Sequence, residues 1–268
     1  MYFVLICPYL VLLDAASVAS KTSGNRALRQ VAVSNEASNS VSRTEQSRIH
    51  IDLDTWYARK DKVLMDAGVL TSSNKQDVSE NGLQEGGARG SERGEMRAVY
   101  DELARDPSIK TICETGFNAG DSAMRFLAQS NATLFEFDLG EHSYSRVAAN
   151  FMKENFPHRF HITWGDSRQT LPAFREAHPE VKCDLAIVDG GHSYDVAYAD
   201  LANFKTMVTE KHVLFCDDTP CLKKYCIGVN KAWGKLMSEG CLVEDKVVRV
   251  SEWYGFRKGT YQNFDCSV

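Results

Sequence analysis

Positive charge is not in excess anywhere in this chain's composition. Lys and Arg number 31 against 36 Asp and Glu, a net charge of −5 over 268 residues. A nucleic-acid partner normally demands a basic face, so that class of function is not expected. No apolar run in the body of the chain reaches the ~20 residues of a membrane-spanning helix. The eight cysteines contain no Cys-x-x-Cys pair. A zinc site, the rival use of so many thiols, therefore lacks its usual spacing. The dinucleotide-binding spacing Gly-x-Gly-x-x-Gly is missing too, which disfavours a nicotinamide-dependent enzyme.

What the chain does have is 43% hydrophobic residues, ample for a sizeable core. Its length suits one α/β domain with tails. Tyr2 to Leu13 form an apolar run followed by Ala15-Ala16-Ser17-Val18-Ala19-Ser20. Ser17 and Ala19 suit cleavage after Ala19, so residues 1–19 are expected to be a signal peptide and the protein secreted. No Lys or Arg precedes the run and Pro8 interrupts it. Membrane anchoring through residues 2–13 is the alternative. Residues 20–50 are polar with few large apolar side chains and read as a disordered arm,. Residues 51–95 read as an N-terminal helical and lid segment. Trp56 and Tyr57 open an amphipathic stretch, and five glycines stand between Asn81 and Gly94 with Arg89 and Arg93. A lid over a site and a plain linker both fit that composition.

Eight cysteines are many for a cytosolic enzyme and few for a disulfide scaffold,. Cys113 and Cys216 fall in expected core strands and are read as buried thiols. Cys221, Cys226, Cys241 and Cys266 crowd the C-terminal region, where one or two bridges are expected without a connectivity,. Asn131-Ala132-Thr133 is a glycosylation sequon in an expected loop,.

From residue 96 to 268 helices and strands alternate. The pattern predicts helix 96–105, strand 109–114, helix 121–129, strand 132–138, helix 142–155, strand 159–164 and helix 167–177. Strand 183–189, helix 194–208, strand 211–217, helix 223–238 and strands 242–250 and 253–261 complete it. Alternation of this kind implies βαβ units and a parallel sheet. The runs Leu185-Ala186-Ile187-Val188 and Val213-Leu214-Phe215-Cys216 are apolar without alternation, as expected of strands covered on both faces,.

Each of the first five strands ends in an acid: Glu114, then Glu136 and Asp138, Asp166, Asp189, and Asp217-Asp218. In an open α/β sheet these ends meet at one rim, where ligands bind. The first strand is followed by Gly116-Phe117-Asn118-Ala119-Gly120-Asp121-Ser122. This Glu-x-Gly-x-x-x-Gly turn, with a helix behind it, resembles the first motif of class I S-adenosylmethionine (SAM)-dependent methyltransferases. The strand order resembles their Rossmann-like architecture: a mostly parallel seven-stranded sheet, helices on both faces and an antiparallel C-terminal strand. The resemblance covers about residues 96–260.

That resemblance implies a role for each group of rim residues. Glu114, Gly116, Phe117, Asn118, Gly120 and Ser122 surround the methionine and ribose portion of SAM. Asp138 accepts hydrogen bonds from the ribose, with Glu136 as the fallback. Asp166 and Ser167 meet the adenine, although an N-cap for the next helix explains them too. Asp189 lies against the cofactor. Asp189, Asp217 and Asp218 also resemble the divalent-cation site of metal-dependent small-molecule O-methyltransferases of the catechol, caffeoyl-CoA and macrolide-sugar types, where hard oxygen ligands suit Mg²⁺. His192, three residues after Asp189, holds the position of the catalytic base in the macrolide-sugar type,.

The expected activity is divalent-metal-assisted methylation of a hydroxyl on a small acceptor, with Asp189 and His192 catalytic. Nucleic acid is not an expected acceptor, since no Asn-Pro-Pro-Tyr-like motif occurs. No stable membrane span is expected once the leader is removed, and a homo-oligomer is compatible with the reading. The alternative is a secreted effector or binding protein that keeps the fold without catalysis. Arg26-Ala27-Leu28-Arg29, behind the leader, resembles the translocation motif of oomycete effectors, but no Glu-Glu-Arg comes after it.

Overall fold

The computed structural model of the protein describes residues 52–69 and 93–266. The expected leader, the polar arm with its Arg-x-Leu-Arg sequence and most of the glycine-rich stretch lie outside the described residues.

Helix α1 (Leu53–Asp66) starts where Asp52 caps it, Oδ1 accepting the Thr55 amide at 2.9 Å. Helix α2 (Gly94–Arg105) buries Met96, Val99, Tyr100 and Leu103, the three-four spacing that puts side chains on one face,. Strands and helices then alternate: β1 (Thr111–Thr115), α3 (Asp121–Gln129), β2 (Thr133–Asp138), α4 (Ser143–Asn155), β3 (Phe160–Trp164), α5 (Ser167–Ala177) and β4 (Cys183–Val188). They continue with α6 (Tyr194–Lys205), β5 (Val208–Cys216), α7 (Cys226–Ser238), β6 (Leu242–Arg249) and β7 (Gly255–Tyr261). The expected elements occur in the expected order, with ends shifted by three residues or fewer, because each is bounded by a cap or a turn.

One seven-stranded sheet has the order β3-β2-β1-β4-β5-β7-β6. Strands β1 to β5 run parallel, and β7 joins β5 antiparallel with β6 beyond it. The chain builds outward from β1 in one direction and then from β4 in the other. The β1–β4 boundary is therefore the switch point at which such sheets bind ligands.

The two faces of the sheet carry separate apolar layers. Ile112, Leu185, Ile187 and Phe215 enter one. Cys113, Ala186, Val188, Leu214 and Cys216 enter the other. Coverage on both sides explains why these strands show no polar alternation. The expectation that Cys113 is a thiol is wrong, because it forms a disulfide with Cys183. Strand periodicity places a cysteine on a face but cannot identify a partner 70 residues away. Cys216 is a buried free thiol, and Cys221–Cys226 and Cys241–Cys266 pair.

Helix α1 is pinned by a buried charge. Lys60 is fully buried and forms an ion pair with Asp121, the first residue of α3. Its ammonium also donates to Ala119 O at 2.8 Å, and the Tyr57 hydroxyl donates to Asp121 O at 3.0 Å. Breaking such a pair leaves a charge stranded in the interior. Lys60→Met is expected to lower unfolding free energy by about 3–5 kcal/mol in chemical denaturation. The double variant Lys60→Met/Asp121→Leu should recover more than half of it. A loss near that of an exposed ion pair, about 1 kcal/mol or less, would contradict this assignment.

Candidate active site

The loop after β1 is shaped by two glycines. Gly116 has φ +101°, and a Cβ there would sit 1.9 Å from the backbone oxygen of Asp189. Any side chain would push β1 and β4 apart at the switch point. Gly120 has φ +73°, and a Cβ would strike the Phe117 ring at 2.6 Å. At Gly116 the loop is thus held against the end of β4. Two strand ends hold it: the Gly116 amide donates to Phe137 O at 2.9 Å, and the Asn118 amide donates to Asp138 Oδ2 at 3.0 Å. The Phe117 side chain turns into the core against Phe160 and Trp164, so only its backbone faces the rim.

Glu114 and Glu136 are register partners on β1 and β2, and both are buried. Their carboxylates lie against one another, with Ser122 close to Glu114. None of the four oxygens has a donor in hydrogen-bonding geometry among the described residues. Burial pushes Glu114 up to about 7, and burial together with the charge of Glu114 raises Glu136 well above its ordinary value. Asp138 differs. Its Oδ1 accepts from the Gly140 amide at 2.6 Å and its Oδ2 from Asn118, so backbone donors already engage both oxygens. One donor on each oxygen leaves Asp138, which is partly exposed at the end of β2, with acceptor sites to spare, whereas Glu136 is buried against Glu114,.

Asp166 caps α5 by accepting from the Arg168 amide at 3.0 Å and pairs with the Arg168 guanidinium at 2.6 Å. Ser167 faces Asp200, a buried acid from α6 that also lies beside Thr115. Burial raises Asp200 to about 6. The third strand end is thereby linked to the switch point through Asp200.

Asp189, Asp217 and Asp218 converge, each with a carboxylate oxygen within 4.8 Å of the others. Burial, then the neighbouring acids, raises Asp189 well above its ordinary value, and burial raises Asp217. Arg93 enters this cluster from the start of α2. Its Nη1 donates to Asp217 Oδ2 at 2.6 Å, and Nη2 lies 3.8 Å from Asp218 Oδ1. Its guanidinium stacks 4.1 Å from the centre of the Tyr254 ring. Burial works against its charge, but Asp217, Tyr254, Asp189 and Asp218 outweigh that and hold its pKa above the ordinary value. His192 Nε2 lies 2.9 Å from Asp218 Oδ2, and the His192 side chain is 41% exposed, on the open side of the cluster.

A divalent cation fits this donor set. Asp217 Oδ1 and Asp218 Oδ1 have no hydrogen-bond donor among the described residues. Arg93 cancels one of the three carboxylate charges, and the remaining two match a divalent ion. SAM fits the neighbouring loop, where Gly116 leaves no room for a side chain and the Glu114 and Glu136 oxygens have no hydrogen-bond donor among the described residues. Sequence reasoning missed Arg93, Tyr254 and Asp200 as members of this site. The five-acid rim was a signal that a counter-cation must be near, but nothing in the spacing identifies one 124 residues from Asp217.

Residues 113–219 match the family model described as a methyltransferase domain, a span that runs from β1 to just past Asp218. Solved structures share the fold. A methyltransferase of Podospora anserina bound to S-adenosylhomocysteine (SAH) is 17% identical, covering 88% of this chain and 100% of its own, at a TM-score of 0.53. An O-methyltransferase of Streptomyces achromogenes, described as involved in tomaymycin synthesis and solved with SAM, is 15% identical, covering 84% and 97%, at 0.57. An O-methyltransferase of Bacillus cereus in complex with SAH is 15% identical, covering 79% and 100%, at 0.54. No curated protein matches the chain.

The buried glutamates make ligand-free stability depend on pH. Glu114 has its pKa raised from 4.5 to about 7. A carboxyl raised on folding contributes stability that is fully present below its unfolded value and is lost as pH rises through the folded one. The melting temperature of the ligand-free protein is therefore expected to fall as pH rises from about 5 to about 8. Glu114→Gln should flatten that slope. An unchanged slope in Glu114→Gln would show that the pair does not share a retained proton.

Proposed function

We propose that residues 113–219, which match a methyltransferase domain, act as a class I SAM-dependent methyltransferase that methylates a hydroxyl of a small acceptor with the help of a divalent cation. The observation that carries the proposal is the convergence of Asp189, Asp217 and Asp218 beside His192, next to the glycine loop of the cofactor cradle.

When bound, the SAM sulfonium supplies an activated methyl group, and a divalent ion lowers the pKa of an oxygen it holds. The chain's residues do the rest. The Gly116–Gly120 backbone and Glu114 bind and orient the cofactor, Asp138 taking the ribose hydroxyls. Asp189, Asp217 and Asp218 hold the cation, and Arg93 keeps Asp217 in place and sets the charge of the cluster. With its Nε2–H donated to Asp218, His192 carries its lone pair on Nδ1 and takes the acceptor's hydroxyl proton there. Asp218 both orients that ring and stabilises the charge it gains.

Calorimetric titration with SAH is expected to show saturable binding, with an affinity that changes on adding Mg²⁺. Methyl transfer should stop in chelator and return with Mg²⁺. His192→Ala should lower kcat by about 10²–10⁴-fold while leaving SAH affinity unchanged. Full activity in chelator would overturn the role given to the cation, and full activity in His192→Ala the role given to the base.

The same chain is proposed to mature in the secretory pathway. Six of its cysteines are paired in disulfides, the usage of an oxidising compartment,. Protein recovered from the medium of a secreting host should begin at Ser20. Its intact mass should also show three disulfides on reduction. An intact Met1, or seven free thiols, would sink this proposal.

A further inference from the structure

At the edge of the sheet opposite the acid rim, the chain carries a modification signal that methyl transfer does not use. Asn131 is the one asparagine followed by a residue other than proline and then by Ser or Thr, in Asn131-Ala132-Thr133. A glycosyl-transfer enzyme reads that tripeptide on chains entering the secretory pathway. Three residues also arise by chance. The modified asparagine must therefore stand where the fold tolerates a bulky, hydrated group.

The structure provides such a place. Asn131 is exposed, in the loop between α3 and β2. Its side chain has no partner among the described residues, so a sugar attached there displaces no contact. The residues on either side are held instead. Arg159 Nη1 donates to Ser130 O at 3.0 Å and to Ala132 O at 3.2 Å, and Nη2 donates to Leu127 O at 2.9 Å. Ala132 is buried, and its amide donates to Ser130 Oγ at 3.1 Å. The loop backbone is thus fixed while the Asn131 side chain is left to solvent. A cleft of about 280 Å³ opens beside it, with Arg105, Asp106, Lys110 and Gln129 in its walls. Those polar walls suit the hydroxyl and acetamido groups of a first sugar.

Asn131 also stands clear of the acids. Strand β2 has six residues, Thr133 to Asp138, and at about 3.3 Å per residue its ends lie about 17 Å apart,. A glycan at the Thr133 end leaves the Asp138 end and its glycine loop open. Thr133 fixes the timing. It pairs with Thr111 in the sheet, and its amide donates to Lys110 O at 2.8 Å. An enzyme that takes the tripeptide into its own cleft can do so only before β2 pairs.

We propose that Asn131 is N-glycosylated as the chain is made, which rests on the secretory reading above. The Asn131 side-chain nitrogen attacks C1 of the first N-acetylglucosamine of a lipid-pyrophosphate-linked oligosaccharide. The N–C1 bond forms and the C1–O bond breaks. The lipid pyrophosphate leaves with the electron pair, and the amide proton passes to the transferase.

The test is expression of the full chain in a secreting yeast. The protein is expected to begin at Ser20 and to run as a larger species that peptide-N-glycosidase reduces to the polypeptide alone. Peptide mass mapping after that treatment should find the Asn131 side chain converted to a carboxylate. Asn131→Gln and Thr133→Ala should each abolish the larger species, and Thr133→Ser should keep it. Secreted protein that begins at Ser20 with Asn131 unmodified would overturn the site and leave secretion in place. So would a glycosidase-sensitive species that persists in Asn131→Gln. A glycan at Asn131 on a chain that keeps Met1 would establish the site and make the leader an anchor. An intact Met1 without a glycan would remove the premise and the site with it.

Discussion

Burial of negative charge at the carboxyl edge of one sheet is the constraint on which the rest of this structure depends. Glu114, Glu136, Asp200, Asp217 and Asp218 are all buried there. An ionised carboxylate taken out of water without a partner is far too costly to keep, so each acid must be neutralised, paired or bonded. The protein uses all three means. Burial raises Glu114, Glu136 and Asp200, which favours their protonated forms while no ligand is bound. Asp217 is paired with Arg93, and Asp138 is bonded by backbone amides. The first solution is temporary, because ligand donors can replace the protons. The second is permanent, and it fixes where α2 must begin.

That division explains why segments outside residues 113–219 matter to the site. Arg93 comes from the segment before β1, and Tyr254, which stacks on it, comes from the turn before β7. Lys60 reaches from α1 to the first residue of α3 and to the glycine loop itself. Each contact is buried and charged, so each is costly to break and specific in direction. Residues 113–219 supply the acids and the glycine turn, and the flanking helices and the final hairpin supply the cations and rings that make the acids tolerable.

The fold was legible in the sequence because its signals are local. The uninterrupted apolar runs of β4 and β5, the glycines around residues 116–120 and the cap residues Asp166 and Ser193 each specify a boundary through nearby backbone chemistry. The acid rim was legible for a related reason, since parallel strands deliver their ends to one edge. What pairs across that edge was not legible. The Arg93–Asp217 contact and the Cys113–Cys183 disulfide join residues far apart in the chain, and no periodicity reports such a pairing. Nor does spacing report that Asp138 is held by the Asn118 and Gly140 amides while Glu136, two residues earlier on β2, is buried against Glu114.

The same charge logic bears on how the site can turn over. Asp218 is shared: one oxygen faces the cluster that would hold a cation, and the other orients His192. A cation bound to the cluster would draw electron density from Asp218 and weaken its hold on a protonated imidazole. The histidine would then release its proton more readily to water on its exposed side. The positive Arg93 guanidinium beside Asp217 would limit how strongly the cluster binds any further cation. A stronger cluster without Arg93 would hold both cation and methylated product longer. In the proposed reaction the guanidinium would thus trade affinity in the acid cluster for release.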